Sequence, residues 1–191
     1  MVKQLGTSLR MTILSVIVLG LIYPFVMTGL AQVMFPHQAN GSLVTVNGQV
    51  VGSSIVGQLW TKPQYFHGRP SAAGKNGYDP TSTGGTNYGP SSKKLIDSTR
   101  ATIAALKKEN PNATVPIPMD LVTSSGSGID PDISPQAAYY QAPRVAQARK
   151  MDVKAVDDLI ARNTKGRTFG FLGEPRVNVL QLNLALDAAR P

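Results

Sequence analysis

Met11 to Phe35 is almost continuously apolar, and no Asp, Glu, Lys or Arg occurs between residues 11 and 61. At 1.5 Å per residue this run would make a helix of roughly 37 Å, enough to cross a hydrocarbon core with some tilt. A cleaved signal peptide has a shorter apolar stretch, about 7–15 residues, ending at a small-x-small site. Ala31-Gln32-Val33 is a poor site of that kind, so an uncleaved anchor is expected. Within the span, Gly20, Pro24, Thr28 and Gln32 recur at i+4. Single Gly, Pro and Thr residues are common in membrane helices. A winding stripe of them also permits close approach of a second helix, so partner packing is expected there.

Beyond the span the periodicity shortens. Ser42–Val46 and Gln49–Val51 flank Asn47-Gly48, the signature of a type I′ hairpin, because both turn residues must accept positive φ. Gly52–Trp60 is apolar and fits a short helix or a third strand. Pro63–Pro90 is turn chemistry throughout, an unusually long loop for a compact domain, with Tyr65, Phe66, Tyr78 and Tyr88 available to pin it. Leu95, Thr99, Ile103 and Leu106 share one face of a helix over Ser92–Lys108, which Asn110-Pro111 stops. The Pro-interrupted Val115–Val122 reads as an edge strand. A Ser/Gly loop follows over Thr123–Asp132.

Ser134-Pro135 is an N-cap followed by Pro at the first helical position. It predicts a short helix to about Gln141, with a second starting at Pro143 and running through Lys150. Asp152 caps a third, with Val153, Val156, Leu159 and Ile160 inward. Phe169 and Phe171 alternate like a short strand. Val177–Ala189 fits both periods; helix is favoured, with Asn178 as its cap. The class is α+β, organised as an N-terminus over 1–10, a transmembrane helix over 11–35 and one mixed α/β domain over 36–191.

Charge sets the expected topology. Lys3 and Arg10 precede the span, and the next basic residue is Lys62. The positive-inside rule then puts the N-terminus in the cytoplasm and residues 36–191 outside. All 11 acidic residues and all but two of the 19 basic ones lie in that outer domain, leaving it about +6. A nucleic-acid surface would want clustered basic residues with interleaved aromatics, so no nucleic-acid partner is expected. The absence of cysteine excludes a disulfide framework, a thiol nucleophile and a thiolate metal site. His37 and His67 are thirty residues apart and make no helical metal pair.

Three segments hold candidate chemistry. Ser124–Asp132 has the glycines and hydroxyls to cradle an anion, or two Asp to hold a cation. It lacks both the P-loop ending and EF-hand spacing, and an irregular loop before a capped helix explains it as well. A nucleophilic Ser125 would need a base that nothing supplies in sequence. Gln141, Arg144, Gln147 and Arg149 read as a solvated polar face, a contact surface or a nucleotide site. Tyr65, Phe66, His67 and Arg69 would suit partner contact if exposed and would anchor the long loop if buried.

Taken together, several ordered motifs resemble the KdpC family, a subunit of bacterial potassium-transporting ATPases. They are Tyr65-Phe66-His67-Gly68-Arg69-Pro70-Ser71, Gly84–Ser91, Ser124 with Gly126–Pro135, Gln141 with Arg144-Val145-Ala146 and Ala148-Arg149, and Gly173–Leu180 with Leu182–Asp187. The resemblance covers the whole chain, with Ile129 standing where Leu is expected. It implies a non-pumping, non-catalytic subunit in a bacterial inner membrane, with a single pass and a periplasmic C-terminal domain. The implied partners are KdpA, the potassium-translocating subunit, KdpB, the P-type ATPase, and KdpF, a small membrane peptide, besides membrane lipid. The complex would use ATP, Mg2+ and K+, and this subunit would have no cofactor of its own. Three roles are implied: supporting assembly, influencing potassium access from outside, and raising the ATP affinity of KdpB. For the second, Tyr65, Phe66, His67 and Arg69 are the candidate external lid or partner contact. The last places nucleotide contact at Gln141, Arg144, Gln147 and Arg149. An external domain does not meet cytosolic ATP, so assembly and the lid rank above it. The reading outside this family is a membrane-anchored extracytoplasmic hydrolase.

Overall fold

The computed structural model describes residues 2–189. Its backbone divides into two units, one ending at Val51 and one beginning at Gly52.

The first unit is dominated by a long helix. Helix α1 (Val2–Ser15) continues through a π-helical stretch, Val16–Ile22, into α2 (Tyr23–Met34). The apolar part from Lys3 to Met34 is long enough to cross a membrane. The change of register has a local cause. Pro24 has no N–H and its ring presses on the carbonyl four residues back, which is Gly20. Widening the preceding turns relieves this, and Tyr23 N–H reaches Val18, five residues back. Gly20 and Pro24, read as a packing stripe, therefore also mark the π stretch and its end. Gln32 is engaged locally: its side-chain amide exchanges hydrogen bonds of 3.0 and 3.3 Å with that of Asn40. A one-turn helix, α3 (Pro36–Ala39), follows. Strands β1 (Leu43–Val46) and β2 (Gln49–Ser53) then pair around Asn47 (φ 52°) and Gly48 (φ 79°), the expected hairpin.

The second unit begins irregularly. Gly52–Trp60 is neither helix nor third strand beyond the end of β2. The long loop over Pro63–Pro90 has no regular element, as its turn chemistry predicts. Helix α4 (Lys93–Glu109) half-buries the expected face of Leu95, Thr99, Ile103 and Leu106. The edge strand expected over Val115–Val122 does not form. Pro116 and Pro118 remove donors, and only a single 3₁₀ turn, Met119–Leu121, appears.

The core follows. Strand β3 (Asp132–Ile133) leads into α5 (Pro135–Arg149), capped by Ser134, whose hydroxyl accepts from Ala137 N–H at 3.1 Å. Pro143 does not start a second helix; α5 runs straight through it. Pro in a helix interior costs about 3 kcal/mol. Here Ala138, Tyr140, Ala142, Val145 and Ala146, all buried on both sides of Pro143, outweigh that cost. Helix α5 ends at Lys150 in the left-handed region (φ 56°). Asp152 caps α6 (Val153–Asn163), which buries Val156 and Ile160 but leaves Val153 42% exposed in its first turn, contrary to the inward face expected.

Strands β4 (Thr164–Lys165) and β5 (Arg176–Asn178) complete a three-stranded antiparallel sheet in the order β3-β5-β4. Phe169 and Phe171 belong to a tight turn between β4 and β5, not to a strand. The ambiguous C-terminal segment satisfies both periods in succession. Val177 lies in β5, then Asn178 caps α7 (Val179–Ala188), its side chain accepting from Gln181 N–H at 3.1 Å. Val177, Leu182 and Leu186 are fully buried with Val145, Val156 and Ile160. The class is α+β, with one long N-terminal apolar helix.

Candidate functional site: a loop held by side chains

Two helices grip the start of the long loop. From α5, Gln141 accepts from His67 N–H at 2.8 Å and donates to His67 C=O at 3.1 Å. From α7, Asn183 does the same to Phe66, at 2.8 and 3.1 Å. Each carboxamide thus pairs with one peptide residue as a neighbouring strand would. Both amide side chains are buried, and Phe66 between the helices is fully buried. At Phe66, where the loop is fully buried, the backbone groups need internal partners.

The two arginines take the remaining carbonyls. Arg144 donates to Pro63 C=O, Tyr65 C=O (3.1 Å), Asn110 Oδ1 (3.0 Å) and Gln141 Oε1 (2.7 Å). Arg149 donates to Gln64 C=O at 2.7 Å, to Leu186 C=O at 3.2 Å and to Asp187 at 2.8 Å. The carbonyls of residues 63 to 67 are therefore all satisfied by side chains of α5 and α7. Tyr65 lies under Arg149, 4.9 Å from ring centroid to guanidinium carbon, and its hydroxyl donates to Asp187. Burial lowers the pKa of Arg144, with Glu109 opposing.

His67 sits between acceptors. Its Nε2 faces Lys62 C=O at 3.2 Å and its Nδ1 faces Glu109 at 3.5 Å. Burial first, then the Arg144 charge, lowers its pKa; the Lys62 and Glu109 contacts only partly offset this. A neutral ring donates to one of the two acceptors, not both.

The second half of the loop locks against the Ser/Gly segment. Arg69 pairs with Asp130 at 3.0 Å. Ser71 donates to Gly128 C=O, and Gly84 N–H donates to Ser127 C=O at 2.8 Å. Tyr78 donates to Arg69 C=O at 2.6 Å, and burial pushes its phenol up to about 12, with Asp130 adding to the shift. Gly128 has φ +72°, and a Cβ there would lie 2.7 Å from both Ala73 Cβ and Gly84 O. Ser125 is buried, and its hydroxyl accepts from Gly128 N–H at 2.9 Å. It closes a turn, and the partners of His67 are elsewhere. Among the described residues no group of three or more His, Cys, Asp or Glu could hold a metal ion.

The structure thus divides the candidate residues. Gln141, Arg144 and Arg149 converge on Tyr65, Phe66 and His67. Gln147 points away and is exposed. Of the loop quartet, Phe66 is wholly internal, while Tyr65, His67 and Arg69 keep partial exposure. Sequence reasoning missed Asn183 and Asn110. Asn183 falls within Leu182-Asn183-Leu184, and a polar residue on an otherwise apolar helix face was the available signal.

The class defined by fold and site is thus a chain with a single long apolar helix followed by an α+β domain whose buried polar residues hold its own loop. Residues 5–188 match the family described as "KdpC: K+-transporting ATPase, c chain". The chain is 51% identical over 191 residues to the potassium-transporting ATPase KdpC subunit of Koribacter versatilis, covering 100% of this chain and 97% of that protein. It is 56% identical over 185 residues to that of Acidobacterium capsulatum, covering 97% and 98%. With that of Methylococcus capsulatus it shares 48% over 190 residues, the full length of both. The chain belongs to the KdpC family.

Proposed function

We propose that the chain is the non-pumping, non-catalytic subunit of an ATP-driven potassium uptake complex, anchored by its long helix and presenting the α+β domain outside the cytoplasm. Its partners would be the potassium-translocating subunit KdpA, the P-type ATPase KdpB and the small peptide KdpF, with ATP, Mg2+ and K+ handled by them. Family membership supports the complex. The observation that carries the accessory role is the consumption of Gln141, Arg144, Arg149 and Asn183 by the loop at residues 63–67. Polar groups spent on internal carbonyls hold a surface in shape; they do not turn over substrate. Affinity-tagged chain purified from membranes should bring the ATPase subunit with it; its absence would sink this reading.

Within that role, assembly and control of external potassium access rank above direct nucleotide contact. A nucleotide bound by Arg144 would have to displace the half-buried Pro63 and Tyr65 carbonyls and forfeit the hydrogen bonds that the guanidinium already makes to them. Of the four residues of the nucleotide proposal only Gln147 is exposed. The lid role narrows to Tyr65, His67 and Arg69. Orientation is tested by Ser91→Cys, at an exposed position, with an impermeant maleimide on intact spheroplasts. Labelling is expected; full protection would put the domain in the cytoplasm and revive ATP contact. The hydrolase alternative has nothing in its favour at Ser125.

A further inference from the structure

Residues 165 to 175 are exposed without interruption. They connect β4 to β5 and end in a closed tip. Thr168 and Leu172 exchange both backbone hydrogen bonds at 2.9 Å. Inside them, Gly170 N–H donates to Arg167 C=O and Phe171 N–H to Thr168 C=O. The apolar side chains of this tip face solvent: Phe169 is 84% exposed, Phe171 70% and Leu172 49%. Phe169 is also held at φ 54°, a region that bulky residues rarely enter. Basic residues lie at its base. Lys165 and Arg176 face each other across β4 and β5, with Arg167 just above; Arg167 pairs with Glu174 at 2.8 Å and Arg176 with Asp132 at 3.2 Å, so the excess positive charge rests on Lys165.

We propose that this arm docks on an anionic lipid surface, with Phe169, Phe171 and Leu172 entering the boundary between headgroups and acyl chains, and with Lys165, Arg167 and Arg176 meeting lipid phosphates. Three features support this occupant. The charge is complementary, since the base of the arm carries an excess basic residue, Lys165, beside the paired Arg167 and Arg176, below an apolar tip as in interfacial anchors. The N–H groups of Thr168, Gly170, Phe171 and Leu172 already have partners, which lowers the cost of entry into an apolar medium. The same chain carries a helix long enough to cross a membrane, so a bilayer surface is tethered to this domain at high effective concentration. The inference is independent of the accessory-subunit reading.

The chain has no cysteine, which makes a single label clean. Full-length Phe171→Cys carrying bimane is reconstituted alone in nanodiscs containing a quencher lipid, with either phosphatidylglycerol or only phosphatidylcholine as the remaining lipid. Blue-shifted emission and quenching are expected in anionic discs and far less in zwitterionic ones. Asn112→Cys, labelled at an exposed site away from the tip, should stay unquenched in both. Adding Lys165→Gln should lower the ratio of inserted to free tips about five-fold, the weight of one basic residue near an anionic surface. An unquenched tip in anionic discs overturns the proposal. So does a blue shift that arises only when the other subunits are co-reconstituted and is not quenched by lipid, which would assign the tip to a protein pocket.

Discussion

Asn183 reads the backbone of Phe66 on both sides, accepting from its N–H at 2.8 Å and donating to its carbonyl at 3.1 Å. Asn183→Leu keeps the side chain's size and removes both partners. Two buried peptide groups would then be unpaired, at about 1–3 kcal/mol each. Thermal unfolding of the detergent-solubilised chain should show a clear fall in Tm, and hydrogen exchange should show the amides of Tyr65, Phe66 and His67 losing protection first. Unchanged Tm would mean that the loop is held by something else.

Arg144 distinguishes a scaffold from a nucleotide site. Its guanidinium serves four acceptors on the loop, on Asn110 and on Gln141. Arg144→Lys supplies a point charge that cannot span that fork. Destabilisation by about 2–4 kcal/mol is expected without any nucleotide present, close to the loss from Arg144→Met. A variant of normal Tm with weakened ATP activation in the assembled pump would favour nucleotide contact instead.

His67 makes stability pH-dependent. Its pKa is lowered in the folded chain, by burial and then by Arg144, with Lys62 C=O and Glu109 in opposition. The unfolded chain then binds more protons below about pH 6.5. The contribution is therefore fully present above that pH and is lost as pH falls toward the folded pKa. Wild type should lose stability between pH 6.5 and 5 faster than His67→Asn, measured by denaturant midpoints. Parallel curves would remove His67 as the cause.

Gly128→Ala adds a Cβ where Ala73 and Gly84 already stand, at φ +72°. Strain of about 1–3 kcal/mol is expected from the backbone, before any displacement of Gly84. Limited proteolysis should cut the 84–90 stretch sooner than in wild type.

Lys150 offers the opposite sign. It ends α5 at φ 56°, where glycine is the usual residue. Its backbone N–H already closes the helix onto Ala146 and Gln147. Lys150→Gly should stabilise the chain by about 0.5–1 kcal/mol, read as a raised Tm.

Local signals were legible wherever one residue decides the outcome. Ser134, Asp152 and Asn178 cap helices because a short polar side chain can reach a free N–H. Asn47-Gly48 turns a hairpin because both residues tolerate positive φ. The long apolar run makes a helix from composition alone. Pro143 misleads the sequence reading because its cost is local, whereas the burial that outweighs it comes from α6, α7 and the sheet. The 115–122 segment misleads it in reverse: its prolines were compatible with an edge strand, but among the described residues no strand lies beside it to pair with.

The sequence by itself determined the long apolar helix, the charge asymmetry around it, the caps, and the family to which the chain belongs. Tertiary structure decided what the polar residues do. Gln141, Arg144 and Arg149 look like a solvated or ligand-binding face when counted along α5. Only the arrival of residues 63–67 between α5 and α7, from about 80 positions away, makes them internal. A side chain's partner is fixed by distance in space, and sequence spacing encodes that distance only within an element.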